Sequence, residues 1–110
     1  MSARYVLKRA AGSQYMFNLK AGNGETILTS ENYASKQGAH NGIASVRIHS
    51  PQDGNYRKST ASNGQFFFVL VASNGETLGR SETYTTQAAR DTGIQSVKTN
   101  GPAAPVNDET

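Results

Sequence analysis

The sequence contains no cysteine among its 110 residues. This absence excludes a disulfide framework, a cysteine nucleophile and any zinc site with cysteine ligands, and it agrees with a reducing compartment. Residues 1–9 contain no apolar run long enough for a signal peptide, and no stretch of the chain approaches the length that spans a membrane. We therefore expect a soluble, cytoplasmic protein that does not contact a membrane.

Histidine is also scarce, since His40 and His49 are the only two. They lack the spacing of two ligands on one helix face, so a zinc site is not expected. A general base needs an organised partner, and neither histidine has a counterpart in the second half of the chain. The sequence therefore predicts no metal, no cofactor and no catalytic residue, and an enzyme is the least favoured class of function.

Acidic residues are in the minority, because 8 Asp and Glu face 11 Lys and Arg, for a net charge of +3. A mildly basic protein attracts nucleic acid or anionic metabolites weakly, although many proteins with this balance bind neither. The residues of a candidate basic patch are Arg47, Arg57, Lys58 and Lys98. Charges that are simply solvated are the favoured alternative.

The chain does contain an internal repeat. Residues 15–50 and 66–101 align without a gap at an offset of 51, with fourteen identities over thirty-six positions. The run Asn23-Gly24-Glu25-Thr26, for example, returns as Asn74-Gly75-Glu76-Thr77. Self-similarity at one fixed offset indicates duplication of a structural unit. We predict one domain of two tandem repeats, about residues 1–52 and 53–101, with a polar tail over 102–110.

Asn23-Gly24 lies between apolar stretches, which predicts a β-hairpin with a two-residue type I′ turn. Such a turn places Leu19 opposite Leu28, Phe17 opposite Ser30, and Ala21 opposite Thr26 on one face of the sheet. The matching residues of the second copy are Phe68, Leu70, Ala72, Thr77 and Ser81. Because these positions are kept in both copies, we predict that they form the core face.

The opposite face differs between the copies. Asn18 and Lys20 indicate a solvated face in the first copy, whereas Phe67, Val69 and Val71 continue an apolar run in the second. Such a run is typical of a strand covered on both sides, which is the favoured interpretation. The alternative is an exposed apolar patch for a partner.

A helix is predicted after each hairpin, with N-caps at Ser35 and at Thr85 or Thr86. Ala39, Ile43 and Val46 follow helical spacing in the first copy, and Arg90, Ile94 and Val97 occupy the matching positions in the second. Gly42 and Gly93 lie inside these helices at a cost of about 1 kcal/mol each against alanine, so we expect a close helix–sheet approach there. Ser30-Glu31-x-Tyr33 and Ser81-Glu82-x-Tyr84 precede the helices, and helix-entry chemistry is favoured over a pair of polar sites.

An additional strand is predicted before each hairpin, over 5–8 and 56–59. Each copy is then β-β-β-α, and neither could bury a core alone at about fifty residues. The predicted fold is α+β, with a single antiparallel sheet of six to seven strands, two helices on one face and pseudo-two-fold symmetry. The tail is expected either to be disordered or to add a short edge strand around Val106.

The residues kept in both copies resemble a known family. They form the series Phe17-x-Leu19-Lys20-Ala21-x-Asn23-Gly24-Glu25, Ser30-Glu31-x-Tyr33 and Gly42-Ile43-x-Ser45-Val46, which the second copy repeats with Val71 at the position of Lys20. This pattern resembles the YegP-like family of small bacterial proteins over nearly the whole chain. The resemblance implies β(3)-α-β repeats, C-terminal strands exchanged between the halves, and a monomer that contains its own pseudo-dimer. It implies no activity, because the family is one of unknown function.

We therefore hypothesise a non-enzymatic binding or interaction module that uses the groove between the repeats or the free sheet face. The alternative is weak nucleic-acid binding through the basic residues. The run Phe66-Phe67-Phe68-Val69 is similar to the aromatic strand of an RNA-recognition sheet. That fold has another strand order, however, and the basic residue that flanks its aromatic strand is missing here.

Overall fold

The computed structural model describes residues 2–110, and its elements follow the order that the repeat predicts. The first half contains β1 (Arg4–Ala10), β2 (Gln14–Lys20), β3 (Thr26–Ser30) and α1 (Lys36–His49). The second half contains β4 (Tyr56–Thr60), β5 (Phe66–Val71), β6 (Thr77–Arg80), α2 (Gln87–Asn100) and β7 (Val106–Asp108). The seven strands form one sheet in the order β4-β5-β6-β3-β2-β1-β7, which confirms the α+β fold class.

The core lies between the sheet and the two helices, on the face predicted from the kept residues. Phe17, Leu19, Phe68 and Leu70 are fully buried there. The helices contribute Ile43, Val46, Ile94 and Val97 to the same cluster. Burial of these side chains, at about 25 cal/mol per Å² of apolar surface, holds the helices against the sheet.

The helices begin where the capping residues predict. Ser35 Oγ accepts a hydrogen bond from Gly38 N at 2.9 Å, and Thr86 Oγ1 accepts one from Ala89 N at 3.0 Å. These bonds satisfy backbone donors that have no partner within the helix. Thr86, and not Thr85, is thus the second N-cap.

The hairpin turns are one residue longer than predicted. Leu19 does lie opposite Leu28, but Ala21 N bonds to Glu25 O and Gly24 N to Ala21 O, with Gly24 at φ 88°. This geometry is that of a three-residue loop with a left-handed glycine and a bulge. The prediction that Ala21 lies opposite Thr26 is therefore wrong.

The same bulge in the second copy moves Thr77 away from the core. Ala72 N bonds to Glu76 O, as in the first copy, and Thr77 lies opposite Val71. Thr77 is consequently exposed, so its predicted place on the core face is wrong. The two-versus-one pairing of a bulge explains the change, because residues beyond it switch faces relative to a regular ladder.

The tail adds the edge strand β7, which decides between the two alternatives for this segment. β7 runs parallel to β1, with Val106 opposite Tyr5 and Asp108 opposite Leu7. The prediction of a purely antiparallel sheet is thus wrong for this pair, since the chain leaves α2 at the end of the sheet where β1 begins. Lys36 Nζ lies 2.6 Å from Asp108 Oδ2 and, by hydrogen bonding, lowers the pKa of that carboxyl group well below its usual range.

Gly42 and Gly93 permit a close approach, as predicted, and the approaching group is a tyrosine ring. A Cβ atom on Gly42 would lie 2.4 Å from Tyr33 Oη, and one on Gly93 would lie 2.5 Å from Tyr84 Oη. Each ring therefore occupies the space that a side chain on the helix would need. The contact between a tyrosine ring and a helix glycine thus occurs twice, at positions 51 residues apart. The two-fold relation between the copies stays a prediction.

Candidate binding surface

The Ser-Glu-Tyr segments are built into the scaffold. Ser30 Oγ accepts a hydrogen bond from Phe17 N at 2.9 Å and donates one to Glu31 O at 2.8 Å. Ser81 repeats both bonds, with Phe68 N at 3.0 Å and Glu82 O at 2.7 Å. Each hydroxyl group is thus engaged by the backbone where the strand ends, which favours the structural interpretation.

The tyrosines of these segments are half-buried beneath the helices. Burial raises the pKa of Tyr84, and the carboxylates of Glu25 and Glu82 raise it further. Burial likewise raises the pKa of Tyr33, with Glu31 and Glu76 as further causes. Both phenols are therefore neutral at physiological pH, and neither is tuned as an acid or base for that range.

A groove does run between the copies. It has a volume of about 490 Å³ and lies between the first hairpin turn and α2, where Glu25, Ile27, Tyr84 and Thr92 are among its lining residues. The groove is the site of the first binding hypothesis. Its lining is largely the packing described above, with Tyr84 filling the space beside Gly93.

The four residues of the candidate basic patch do not share one surface. Arg47 Nη2 donates to Ala104 O at 2.7 Å, and its guanidinium lies 5.5 Å from the ring centroid of Tyr5. Lys98 pairs with Asp53. Arg47 and Lys98 thus hold structural contacts on the helix side of the sheet.

The remaining two residues of that patch, Arg57 and Lys58, are neighbours on β4 and so point to opposite faces of the sheet. Lys58 Nζ lies 3.2 Å from Asp91 Oδ1 of α2. Arg57 lies opposite Val69 on the other face, and its Nη1 donates to Gly54 O at 2.6 Å. Arg57 is the one member of the patch that lies on the sheet face away from the helices.

Both histidines are on α1. His49 Nδ1 lies 2.8 Å from Ser45 O and 3.2 Å from Ser45 Oγ, which is a helix-end contact. His40 is half-buried. Within residues 2–110, no three His, Asp or Glu side chains come together as metal ligands. No helix in that same part of the chain is long and apolar enough to cross a membrane.

The sheet face away from the helices, here called the open face, carries a continuous row of side chains. Strand pairing places the members of the row side by side in the order Arg57, Val69, Arg80, Thr29, Asn18, Val6 and Asn107. Alternation along each strand adds Phe67, Val71, Lys20 and Lys8 to this face. None of its apolar residues belongs to the core cluster beneath the helices.

The exposure of side chains on the open face decides between the two interpretations of the apolar run in β5. Val71 is 7% exposed and Val6 4% exposed, whereas Phe67 and Val69 are only half-buried. The interpretation of full coverage on both sides is therefore wrong for Phe67 and Val69. Their side chains form a shallow apolar strip between charged neighbours.

Positive charge dominates the strands. They contain seven cations, Arg4, Lys8, Arg9, Lys20, Arg57, Lys58 and Arg80, and one carboxylate, Asp108. Asp108 lies opposite Leu7, which is part of the core, and pairs with Lys36 of α1. The strand positions of the open face thus carry cations and no carboxylate. Beyond the strands, Glu109 accepts a hydrogen bond from Asn107 Nδ2 at 2.9 Å at the β7 edge.

Arg80 and Lys20 were absent from the candidate patch, and Arg80 makes the most informative contact on this face. Its guanidinium lies 5.3 Å from the ring centroid of Phe67, within the range of a cation–π interaction. No basic residue flanks the aromatic strand along the chain, but Arg57 and Arg80 lie beside it on the neighbouring strands. The register of the second hairpin was the signal that could have located Arg80.

Comparison with known proteins supports the family resemblance. A family described as "Domain of unknown function (DUF1508)" matches residues 4–56 and 61–108. A UPF0339 protein of Bordetella pertussis is 56% identical over 110 residues, covering 100% of this chain and 98% of its own. The UPF0339 protein YegP of Escherichia coli K12 is 53% identical over 110 residues, with 100% of both chains covered.

Two solved structures share the fold. The solution NMR structure of yegP from E. coli, described as a protein of unknown function, superposes with a TM-score of 0.93 at 53% identity, covering 100% of this chain and 95% of that one. The solution NMR structure of a UPF0339 protein from Shewanella oneidensis gives a TM-score of 0.91 at 47% identity, covering 98% and 92%. The chain belongs to the YegP-like family of bacterial proteins, whose function is unknown.

Proposed function

We propose that this chain is a non-enzymatic binding module that holds an anionic partner on the open face. The observation that carries the proposal is the row Arg57–Val69–Arg80, in which two guanidinium side chains flank a half-buried apolar residue on the face that the helices leave free. A pair of cations beside partly exposed apolar surface suits a charged partner that also has apolar surface.

The charge distribution supports an anionic partner. Within residues 2–110, neither Arg57, Arg80 nor Lys20 forms an ion pair with a carboxylate. The helix side is different, because Lys36, Lys58 and Lys98 are each paired with an aspartate. Like charges on one face repel each other, and a partner of opposite charge relieves that repulsion.

The residues point to binding and not to catalysis. The serine hydroxyls of the Ser-Glu-Tyr segments are bonded to the backbone, and the tyrosine pKa values are raised away from neutrality. An activated nucleophile needs an adjacent base in hydrogen-bond contact. The open face instead offers a broad, shallow surface.

The proposal is tested by a low-salt titration of fluorescent anionic polymers, including a single-stranded oligonucleotide and polyglutamate. We expect at least one to bind, and we expect Arg57→Gln to weaken binding. Lys58→Gln is the matched control, since it removes the same charge from the same strand on the other face. If no polymer binds, or if Lys58→Gln weakens binding as much as Arg57→Gln does, the proposal fails.

A further inference from the structure

We infer that the anionic partner of the open face is single-stranded nucleic acid, with one base stacked against Phe67 and the backbone held by Arg57, Arg80 and Lys20. This inference rests on the proposed function and specifies its partner. It follows from where one aromatic ring lies relative to three cations.

The candidate stacking surface is the ring of Phe67 together with the Arg80 guanidinium that lies over it. β5 is flanked by β4 and β6, which bring Arg57 and Arg80 to either side of it. Phe67 is half-buried and has the Arg80 guanidinium 5.3 Å from its centroid. Aromatic rings and arginine guanidinium planes are the groups on which unpaired bases stack.

The cations lie at distances that a flexible phosphate backbone can follow. Arg57 and Arg80 are two strands apart, or about 10 Å at the usual spacing between strands. Lys20 lies two further strands along the sheet, next to Asn18 on β2. Phosphates are held by such groups without regard to sequence. The three cations thus define a path from β4 to β2 across the open face.

The opposite edge of the open face does not extend this path. Asn107 of β7 is bonded to the carboxylate of Glu109, which would repel phosphate. Asn18 Nδ2 donates to Thr29 Oγ1 at 2.9 Å, so the central polar side chains of the row are bonded to each other. These polar side chains are therefore not free to form hydrogen bonds with the edges of bases, and we expect binding that tolerates many sequences.

Other anionic partners match the surface less well. An acidic peptide satisfies the cations but offers no flat π-system for the ring of Phe67. An anionic membrane is contacted by apolar side chains that protrude into the lipid boundary. Phe67 and Val69 are instead half-buried among their neighbours. Single-stranded nucleic acid has both the negative charge that the cations require and flat bases for the ring of Phe67.

Binding is measured by fluorescence anisotropy with an oligo(dT) of about 12 nucleotides, within the size range of such sites. An abasic oligomer of equal length and charge serves as a second probe. We expect Phe67→Leu to weaken oligo(dT) binding by about tenfold, because stacking of one base is lost, and to leave binding of the abasic oligomer unchanged. Arg80→Gln should weaken binding of both.

The dependence on salt provides a second readout. Three phosphate contacts predict a slope of log K against log salt of about −2, since each contact on a single strand contributes about −0.7. Arg57→Gln should make the slope shallower by about 0.7, whereas Lys58→Gln should leave it unchanged. Thermal denaturation of each variant confirms that it is folded before its binding is compared.

The outcomes separate this inference from the proposed function. If polyglutamate or phosphatidylserine vesicles bind as tightly as oligo(dT) and depend equally on Arg57, the assignment of nucleic acid as the partner is wrong. The proposal that the open face binds anions is then retained. If Phe67→Leu weakens oligo(dT) and abasic binding alike, stacking is disproved. If no anionic probe binds at low salt, both proposals fail.

Discussion

Ser50 and Gly101, which align in the two repeats, are in contact where the ends of α1 and α2 meet. A Cβ atom on Gly101 would lie 2.5 Å from Ser50 Oγ, and Ser50 is fully buried. Tyr5 Oη donates to Gly101 O at 2.6 Å, and Tyr56 Oη donates to Ser50 O at 2.7 Å. The carbonyl groups of both helix C-caps are thereby tied to the sheet, and β1 of the first repeat is bonded to the C-cap of α2 in the second.

Gly101→Ala should destabilise the protein by about 1–3 kcal/mol, as overpacking of a tight contact does. The added methyl group would clash with Ser50 and would also lie 2.8 Å from Val97 O. Urea denaturation measures the change. Gly54→Ala is the control, because nothing lies within 4 Å of its added Cβ, and we expect a change within about 0.5 kcal/mol. Equal stability of the two variants would contradict the tight contact.

Gly42→Ala should also destabilise the protein, despite the gain of about 1 kcal/mol in helix propensity. Its Cβ would lie 2.4 Å from Tyr33 Oη, so the ring must move and the local core must repack. In a Tyr33→Ala background the ring is absent while Phe17 Cε2 stays 3.0 Å from that Cβ, so the same substitution should destabilise the protein much less. A double-mutant cycle by thermal denaturation measures this difference. A substitution that destabilises equally in both backgrounds would show that the ring is not the cause.

Ser81→Ala should lower the free energy of unfolding by about 1–3 kcal/mol, because it leaves the buried Phe68 N–H without its acceptor. Ser59→Ala, at an exposed position of β4, should change it by less than about 0.5 kcal/mol. Denaturant titration compares the two. A neutral Ser81→Ala variant with intact secondary structure would return the Ser-Glu-Tyr segment to consideration as a functional site.

Stability should fall in alkaline solution because of Tyr5. Burial raises the pKa of its phenol, while the charge of Arg47 opposes this in part. The unfolded phenol ionises near pH 10, so the stabilisation is complete below that pH and is lost as the pH rises toward the folded pKa. Tyr5→Phe should cost about 1 kcal/mol at neutral pH through the lost hydrogen bond and should make the alkaline decline shallower. An unchanged decline in the variant would assign the effect to another group.

The repeat made much of the fold predictable. Kept apolar positions identified the core face, and capping residues located both helix starts, because these depend on contacts within a few residues of the chain. The turns were mispredicted since Asn-Gly serves both a two-residue turn and a three-residue loop with a bulge. That one residue decided the environment of Thr77.

The candidate surface was less predictable. Arg57 was named from the sequence, but its neighbour Arg80 and the ring of Phe67 became a unit only through pairing of β4, β5 and β6. Lys58 and Lys98 were indistinguishable from Arg57 by sequence, and each proved to be paired with an aspartate. Which cations pair with a carboxylate depends on residues that are distant in sequence but packed together in the fold.

The sequence by itself determined the repeat, the family, the core face and the helix starts, because local hydrogen bonding and periodic burial encode them. Only the tertiary structure decided the parallel pairing of β7 with β1, the meeting of Ser50 with Gly101, and the segregation of charge between the two faces of the sheet. Each of these joins residues from different repeats or neighbouring strands. Their energies depend on the order of strands and the side on which the helices pack, and neither can be read from the spacing of residues along the chain.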